Sequence, residues 1–492
     1  MKVSILNFRI LLMGIGLFVS IVDGSGTLFA VDREVEIKNV IKSQSTNFPR
    51  VLSLEEALCV GLCKSRELSI AKADLREAMN RAEEIRRNFF PQCMWRSLYY
   101  RIDKDRSKHF LGLVPFERTT TGVNVSQILY DDEVYSAYRA ACRYYRGVQW
   151  KERAILLQTI HAIAEHFFDF CSAKFKWKIE TGHLRAVDSH LTVAQDHFQQ
   201  GSLDRDGLCK VEIERSRIKA QLLDIETQVV AAEATLNQLM GKERSMHWEA
   251  MTLTSEEIDQ LFMGKFIEEV SQDERKKCLF IRRSVVHAHS KHPLLKAKRE
   301  EILAKDLVKK QISREPYSPK LFASADYDQE LGHRTATSRL YQNEPQDWTV
   351  VLGMKIPFYS GGKNRYRLEQ VNAELERLRQ ERAKVSDELE TQITVAVNRW
   401  MHAYERIQLA NSAHKYAKES FDVIVHRYDL GAVGEAEWAD ARQHLYSTEL
   451  AIDLAMVEYL RAWYDYQLAI GSYECLDEEG FQSLCKGKDH EL

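Results

Sequence analysis

The residues of this chain whose types could do catalysis lack the spacing for it. His161-Ala-Ile-Ala-Glu-His166 offers two histidines and a carboxylate, the side chains of a zinc helix. Zinc-binding helices place ligands one turn apart on one face, as His-Glu-x-x-His or His-x-x-Glu-His. Here the histidines are five apart and point to different faces, so ordinary hydrogen-bonded histidines are expected. Ser69-Ile-Ala-Lys72 has the Ser-x-x-Lys form without companion motifs and reads as a helix face. His287, His289 and His292 are bunched, and either a metal role or a polar linker fits them. The nine cysteines run from Cys59 to Cys485, an odd and scattered set that is no disulfide framework. Cys59 and Cys63 have no histidine at a ligand-like spacing and are expected to be buried small apolar residues. Neither a P-loop nor a dinucleotide glycine signature is present. The sequence therefore predicts no enzyme, no cofactor and no metal centre.

Composition narrows the class further. Lys and Arg total 69 against 72 for Asp and Glu, a net charge of −3, so no basic face speaks for nucleic acid. With 29% charged residues the chain is not a multi-span helical membrane protein. Lys2 and Arg9 precede an apolar stretch from Ile10 to Val22 that ends near Gly24-Ser25-Gly26. This is the pattern of a secretory signal peptide over residues 1–30, with Gly24, Gly26 and Ala30 all possible cleavage points. A single membrane anchor is the alternative, although a span needs about 20 apolar residues. Beyond Ala30 no second run is long enough to cross a bilayer as a helix. Any membrane passage by the mature chain must use strands closed into a barrel.

The positioning elements are long helices. None of the eight prolines lies between 116 and 292 or after 357. Lys363 to Leu430 contains neither proline nor glycine; one helix of that length would run about 100 Å. Apolar positions step by three and four through Leu208, Val211, Arg215, Ile218, Leu222, Ile225, Val229, Ala232, Leu236 and Leu239. The same alternation runs through Ala441, Leu445, Thr448, Ile452, Ala455, Tyr459, Ala462, Tyr466 and Ala469. A third helix repeats it at Ile407, Ala410, His414, Ala417, Phe421, Ile424 and Tyr428. This 3.5-residue period is a coiled-coil seam.

The seams are copies. Gly201 and Gly431, Gly241 and Gly471, and Phe198 and Tyr428 are each 230 apart; Pro91 and Pro319 are 228 apart. The spacing predicts two structural repeats, at 52–241 and 291–471, with a linker at 31–51, an intervening region at 242–290 and a tail at 472–492. Each repeat reads as a helix, two short alternating stretches, a very long helix, a glycine turn and a second helix. The strand candidates are Cys93–Arg101 and Thr119–Ile128, then Lys320–Gln329 and 348–356. Trp348, Val350, Leu352, Met354 and Ile356 are expected to face lipid, because water fills the lumen of a channel. Four strands cannot close a membrane barrel, whose minimum is about eight, so oligomerisation is expected.

Three motifs carry a resemblance to the TolC family of outer-membrane efflux proteins. They are Leu52-Ser-Leu-Glu-Glu-Ala-Leu58, Lys355-Ile-Pro-Phe-Tyr-Ser-Gly-Gly362, and Arg427-Tyr-Asp-Leu-Gly431 followed by Glu437-Trp-Ala-Asp-Ala441. The resemblance covers about residues 52–471. It implies a mainly α fold with membrane β-barrel strands: a long coiled-coil helical tube plus four strands per protomer, joined in a homotrimer with a twelve-stranded barrel. The implied function is a porin-like export duct of the outer membrane, with its tube in the periplasm. It would take cargo from an inner-membrane transporter through a periplasmic adaptor, a membrane fusion protein. Residues 242–290 and the tail would form a belt around the tube.

The resemblance also assigns candidate sites. Pro357, Gly361 and Gly362 form the strand-to-helix elbow. Gly201 and Gly431 make the helix–helix turns at the periplasmic tip. Glu437 and Asp440 align with the acidic residues that line the family's entrance, with Asp204 and Asp206 as possible additions or, for Asp206, a helix cap. Phe198 and Tyr428 would help hold the tip closed. The chain departs from the family at Gln127-Ile-Leu-Tyr-Asp-Asp132, an elbow without glycines, at Gly207, and at Val433, where some members place an arginine. The alternative reading is a secreted or membrane-anchored coiled-coil scaffold without a pore.

Overall fold

The computed structural model describes residues 50–105, 114–201, 204–250, 267, 270–271, 273–335, 345–430 and 432–472. The signal segment, Gly431, and nearly all of the N-terminal linker and the C-terminal tail lie outside them. The described elements are β1 (Arg50–Leu52), α1 (Leu54–Lys64), α2 (Arg66–Arg87), β2 (Gln92–Arg101), β3 (Glu117–Tyr130), α3 (Asp132–Gln199), α4 (Arg205–Leu239) and β4 (Trp248–Ala250). They continue with α5 (Glu274–Lys291), α6 (Pro293–Arg314), β5 (Lys320–Arg334), β6 (Gln346–Lys355), α7 (Lys363–Asp429) and α8 (Glu435–Ile470). A single turn of 3-10 helix over Glu315–Tyr317 leads into β5. The chain divides into two compact units.

One unit holds residues 71–152 and 294–385, and its centre is a four-stranded sheet in the order β2-β3-β5-β6. Every neighbouring pair is antiparallel. All four strands outrun their sequence signals: β2 begins at Gln92, β3 covers 14 residues, β5 covers 15, and β6 begins at Gln346, although it ends at Lys355 and leaves Ile356 outside. The ladder between partners extends them where local propensity is weak. The helical part of this unit is tied by ion pairs, among them Arg143–Glu300 at 3.1 Å and Lys298–Glu381 at 2.8 Å.

The other unit holds the described residues up to 70 together with 153–293 and 386–472. Its core gathers Leu52, Leu58, Ile163, Phe168, Phe170, Leu236, Met240, Trp248, Trp400 and Tyr459. Trp400 stacks on Tyr466 with centroids 5.3 Å apart, and Phe168 meets Tyr464 edge-on. β1 pairs in parallel with β4 beside this core. All three predicted seams are buried or half-buried along their length. Asn237 and Gln467 are 230 residues apart, and each accepts the same helix-ending bond: Lys242 N–H to Asn237 O at 2.8 Å, Ser472 N–H to Gln467 O at 3.2 Å. The glycine between, Gly241 or Gly471, has a φ of 62° or 73°, a conformation that disfavours other residues. The two helices thus end by one device.

A second set of positions on these helices is left uncovered by the described residues. On α7, Val395, Leu409, Tyr416 and Val423, with Leu430 just past its end, are 51% to 81% exposed and recur at multiples of seven. On α4, Ile213, Leu223 and Val230 are 59% to 67% exposed. With Ser216, Ala220, Thr227 and Ala234 between and after them, they step by three and four.

Candidate functional site

The strands sort by chemistry. Register places Trp95, Val123, Tyr327 and Trp348 in one row straight across the sheet. The same face carries Val125, Ala323, Ala325, Val350, Leu352 and Met354. Trp348, Val350, Leu352 and Met354 are 63% to 78% exposed, so an apolar surface stands without cover. The opposite face carries Asn124, Ser126, Ser324, Asp326, Asp328, Asp347 and Thr349; Met94 and Leu98 on β2, Val351 on β6, and Ile128 with Phe322 near the elbow end interrupt it. There Arg96 pairs with Asp328 at 3.2 Å, and the Asn124 amide donates to Asp326 at 2.6 Å. Gly122 sits between Arg96 and Asp328 in the register, and a Cβ on it would lie 2.0 Å from the Asp328 carboxylate. The glycine therefore lets a charge pair cross over β3. One side of the sheet suits lipid and the other suits water.

The two elbows differ. After β6, Gly361 and Gly362 have φ of 64° and 78°. No neighbouring atom lies within 4 Å of a Cβ at either position, so backbone conformation and not crowding calls for glycine. Pro357 directly precedes the turn, where Phe358 N–H donates to Ile356 O. The first elbow has no glycine and is held by charge. Asp131 accepts from Glu133 N–H and so caps α3. Lys320 bridges Asp131 and Glu133 at 3.2 and 2.7 Å, while Arg314 meets the buried Asp132 at 3.1 Å. Sequence reasoning found the missing glycines but not this clamp, whose cations lie far along the chain.

At the turn end of the helices the structure brings Tyr428 of α7 to His190 of α3, its hydroxyl 3.3 Å from the imidazole Nε2. Trp438 of α8 stacks on the same imidazole, centroids 3.8 Å apart and planes 19° from parallel. The Arg442 guanidinium lies 4.2 Å from the Trp438 ring centre. Burial, then Arg442 and His197, push the His190 pKa down to about 4. His190, Trp438 and Arg442 had not been singled out from the sequence. The only signal was Trp438 inside the turn motif.

The other candidates are spread over the same region. Gly201 has a φ of 76° and closes the first turn. Phe198 is 40% exposed and joins none of the described ring contacts. The cap of α4 is Asp204, which accepts from Gly207 N–H at 2.8 Å, and not Asp206. Asp206 pairs with Lys210 at 2.6 Å. Glu437 and Asp440 are exposed on α8, and Val433 is buried. His161, read as an ordinary histidine, bonds Asp465 at 2.7 Å. No metal-holding cluster occurs among the described residues.

The chain thus combines a four-stranded sheet, glycine and charged elbows, and very long coiled-coil helices. Residues 290–472 match the family described as outer membrane efflux protein. No curated protein sequence matches the chain. Among solved structures, the CmeC outer membrane channel of Campylobacter jejuni superposes with a TM-score of 0.69 at 12% identity, covering 91% of this chain and 94% of its own. The outer membrane protein VceC of Vibrio cholerae gives 0.67 at 14% identity, covering 85% and 96%. The Neisseria gonorrhoeae MtrE outer membrane channel in its open state gives 0.64 at 14%, covering 86% and 90%. Residues 290–472 thus resemble the outer membrane efflux protein family, and the chain as a whole shares the fold of these solved channels.

Proposed function

We propose that this chain is one subunit of a trimeric export duct in the outer membrane. The carrying observation is the sheet: four alternating antiparallel strands, one apolar face, one polar face and two open edges. An exposed edge invites another strand. Because β2 and β6 run in opposite directions, β6 of one copy continues antiparallel onto β2 of the next, and three copies close twelve strands. The uncovered seams on α4 and α7 supply the matching helical contact. They are different surfaces, so the contact is head-to-tail and closes a ring. Apolar residues every seventh position suit such a coiled coil.

In this reading the apolar face meets lipid, the polar face lines water, and the helices form a periplasmic tube with the two turns at its tip. Cargo enters there from an inner-membrane transporter through a periplasmic adaptor. The adaptor opens the tip by binding the open state more tightly than the closed one. The protein does no chemistry and holds no cofactor. The pore-free scaffold does not account for a sheet sorted into lipid-suited and water-suited faces.

The test is mass measurement of the detergent-extracted protein together with conductance in planar bilayers. A three-copy species that conducts is expected; a non-conducting monomer overturns the reading. Leu409→Glu with Tyr416→Glu, on the exposed α7 stripe, should dissociate the assembly while leaving the helical circular dichroism of the subunit in place.

A further inference from the structure

The lipid-suited face of the sheet does not end in neutral residues. Beyond the row Trp95–Val123–Tyr327–Trp348 comes a polar row, Ser97–Thr121–Gln329–Gln346, then Tyr99–Thr119–Gly332, then Arg101–Glu117–Arg334. Alternation along β2 keeps Trp95, Ser97, Tyr99 and Arg101 on one side. The Trp95 indole N–H donates to Thr121 Oγ1 at 3.1 Å, so its polar edge points into the polar row. A tryptophan with its ring on apolar residues and its N–H on polar ones marks the edge of a bilayer band. The charged row lies six residues further out. At about 3.4 Å per residue and a strand tilt near 40°, that is roughly 15 Å above the tryptophans. An arginine that bends toward the membrane covers about 6 Å of this, which brings its head to the phosphorylated layer of the leaflet.

The charged row is unbalanced. Arg101 meets Glu117 through Nε at 3.5 Å, and Arg334 meets the same carboxylate through Nη1 at 3.4 Å. One carboxylate thus sits between two guanidiniums, leaving one positive charge. Glu117 is mostly covered, its side chain 15% exposed, while those of Arg101 and Arg334 are 63% and 75% exposed. The carboxylate aligns the two forks and leaves their outer donors in solvent. Across the sheet Arg118 and His333 close on Glu330 at 3.0 and 2.6 Å, which uses that cluster internally.

We propose that Arg101 and Arg334 form a clamp for the headgroup phosphates of a phosphorylated glycolipid in the outer leaflet. The clamp rests on the barrel reading above, which sets this face toward lipid and the β2–β3 and β5–β6 hairpin ends outward. Planar guanidiniums take phosphate oxygens in pairs, a geometry that lysine cannot reproduce. Three clamps would ring the assembled barrel and fix its height and rotation in the leaflet.

The experiment uses the full-length assembly, purified in detergent and exposed to bisphosphorylated lipid A, to its dephosphorylated form, or to inorganic phosphate. Bound lipid is read by native mass spectrometry. The wild-type protein should retain bisphosphorylated lipid A at least about tenfold better than the Arg101→Gln/Arg334→Gln variant, each lost charge-assisted contact being a sizeable term. Arg101→Lys/Arg334→Lys should retain it partly. Conductance and copy number should be the same in all three proteins. Equal retention by wild type and Gln variant, or equal binding of the dephosphorylated lipid, overturns the clamp. Displacement of the lipid by millimolar inorganic phosphate overturns its assignment to a lipid headgroup. Failure of the wild type to assemble or conduct instead overturns the barrel reading, so the two failures are told apart.

Discussion

His190 and Trp438 lie ring on ring, 3.8 Å between centroids, and this contact joins α3 of the first repeat to α8 of the second where both helix pairs turn. Tyr428 closes on the same imidazole from α7, and Arg442 lies over the tryptophan. A stacked pair of this kind contributes about 1 kcal/mol beyond its buried area, and the cation adds a similar amount. Val433, beside the same turn, is buried, and the aromatic stack joins the two repeats there. Trp438→Ala should lower the resistance to opening and raise single-channel conductance or open time in planar bilayers. Tyr428→Phe removes only the hydroxyl contact and should have a smaller effect. A Trp438→Ala channel with unchanged conductance would reduce the stack to local packing.

Acid should loosen the same joint. The His190 pKa is depressed to about 4, first by burial and then by Arg442 and His197, against an ordinary value near 6.5. The packed arrangement therefore holds the imidazole neutral, while an arrangement that exposes the ring lets it protonate near the ordinary value. The stabilisation is complete above about pH 6.5 and is lost as pH falls from there toward 4. Conductance should rise across that window, and His190→Gln should remove the dependence. His292 has a like depression to about 4 from burial, and its ring packs against Gly471. His292→Gln should change acid thermal stability without changing the pH profile of conductance.

What could be read beforehand follows from how local each signal is. The helices were legible because the absence of proline over long stretches and the 3.5-residue seams are local and repeat many times, as at Val211, Ile218 and Leu236. Gly361 and Gly362 were legible because a backbone conformation restricts residue type directly. The first elbow was not, since its clamp joins Asp131 and Asp132 to Arg314 and Lys320 nearly two hundred positions away, and surface charges carry no periodicity. The joint was missed for a related reason. His190 contacts Trp438 only because the two coils lie side by side, and nothing in either helix alone marks it. Strand ends were blurred because the ladder, not propensity, carries Gly332 and Arg334 into β5.

The two elbows should fail differently. Valine at Gly361 and Gly362 must adopt φ of 64° and 78°, costing about 1–2 kcal/mol at each position. Gly361→Val/Gly362→Val should lower the fraction of assembled complex on detergent gels, at any salt concentration. The first elbow depends on Lys320 and Arg314 neutralising three clustered carboxylates, two of them, Asp131 and Asp132, buried. Lys320→Met/Arg314→Met leaves those charges unpaired, and a buried unpaired charge is strongly destabilising. Assembly of that variant should recover when Asp131→Asn and Asp132→Asn are added, which removes the unpaired charges. Recovery of the valine variant by the same asparagine changes would contradict a conformational role for the glycines.

The last prediction concerns Glu437 and Asp440. Both are exposed on α8, three residues apart and so on one side of it. Their alternative role is helix support, because carboxylates in a first turn interact with the helix dipole. Glu437 stands at the third helical position and fits that account; the cap residue Gly434 makes no side-chain bond, so the helix start lacks other support. Asp440 stands at the sixth position, beyond the reach of the terminal dipole, and helix support does not explain it. The first repeat is less available, since Asp204 caps α4 and Asp206 pairs with Lys210. In a ring of three subunits, Glu437 and Asp440 would set six carboxylates about the opening and concentrate cations there. Glu437→Ala/Asp440→Ala should weaken cation preference and relieve block by multivalent cations in planar bilayers. Asp206→Ala should change neither by as much. The Glu437→Ala single variant separates the roles: helix support alone predicts a lower melting temperature with selectivity intact, while an entrance ring predicts altered selectivity that Asp440→Ala deepens. Unchanged selectivity and block in the double variant would leave only the dipole role.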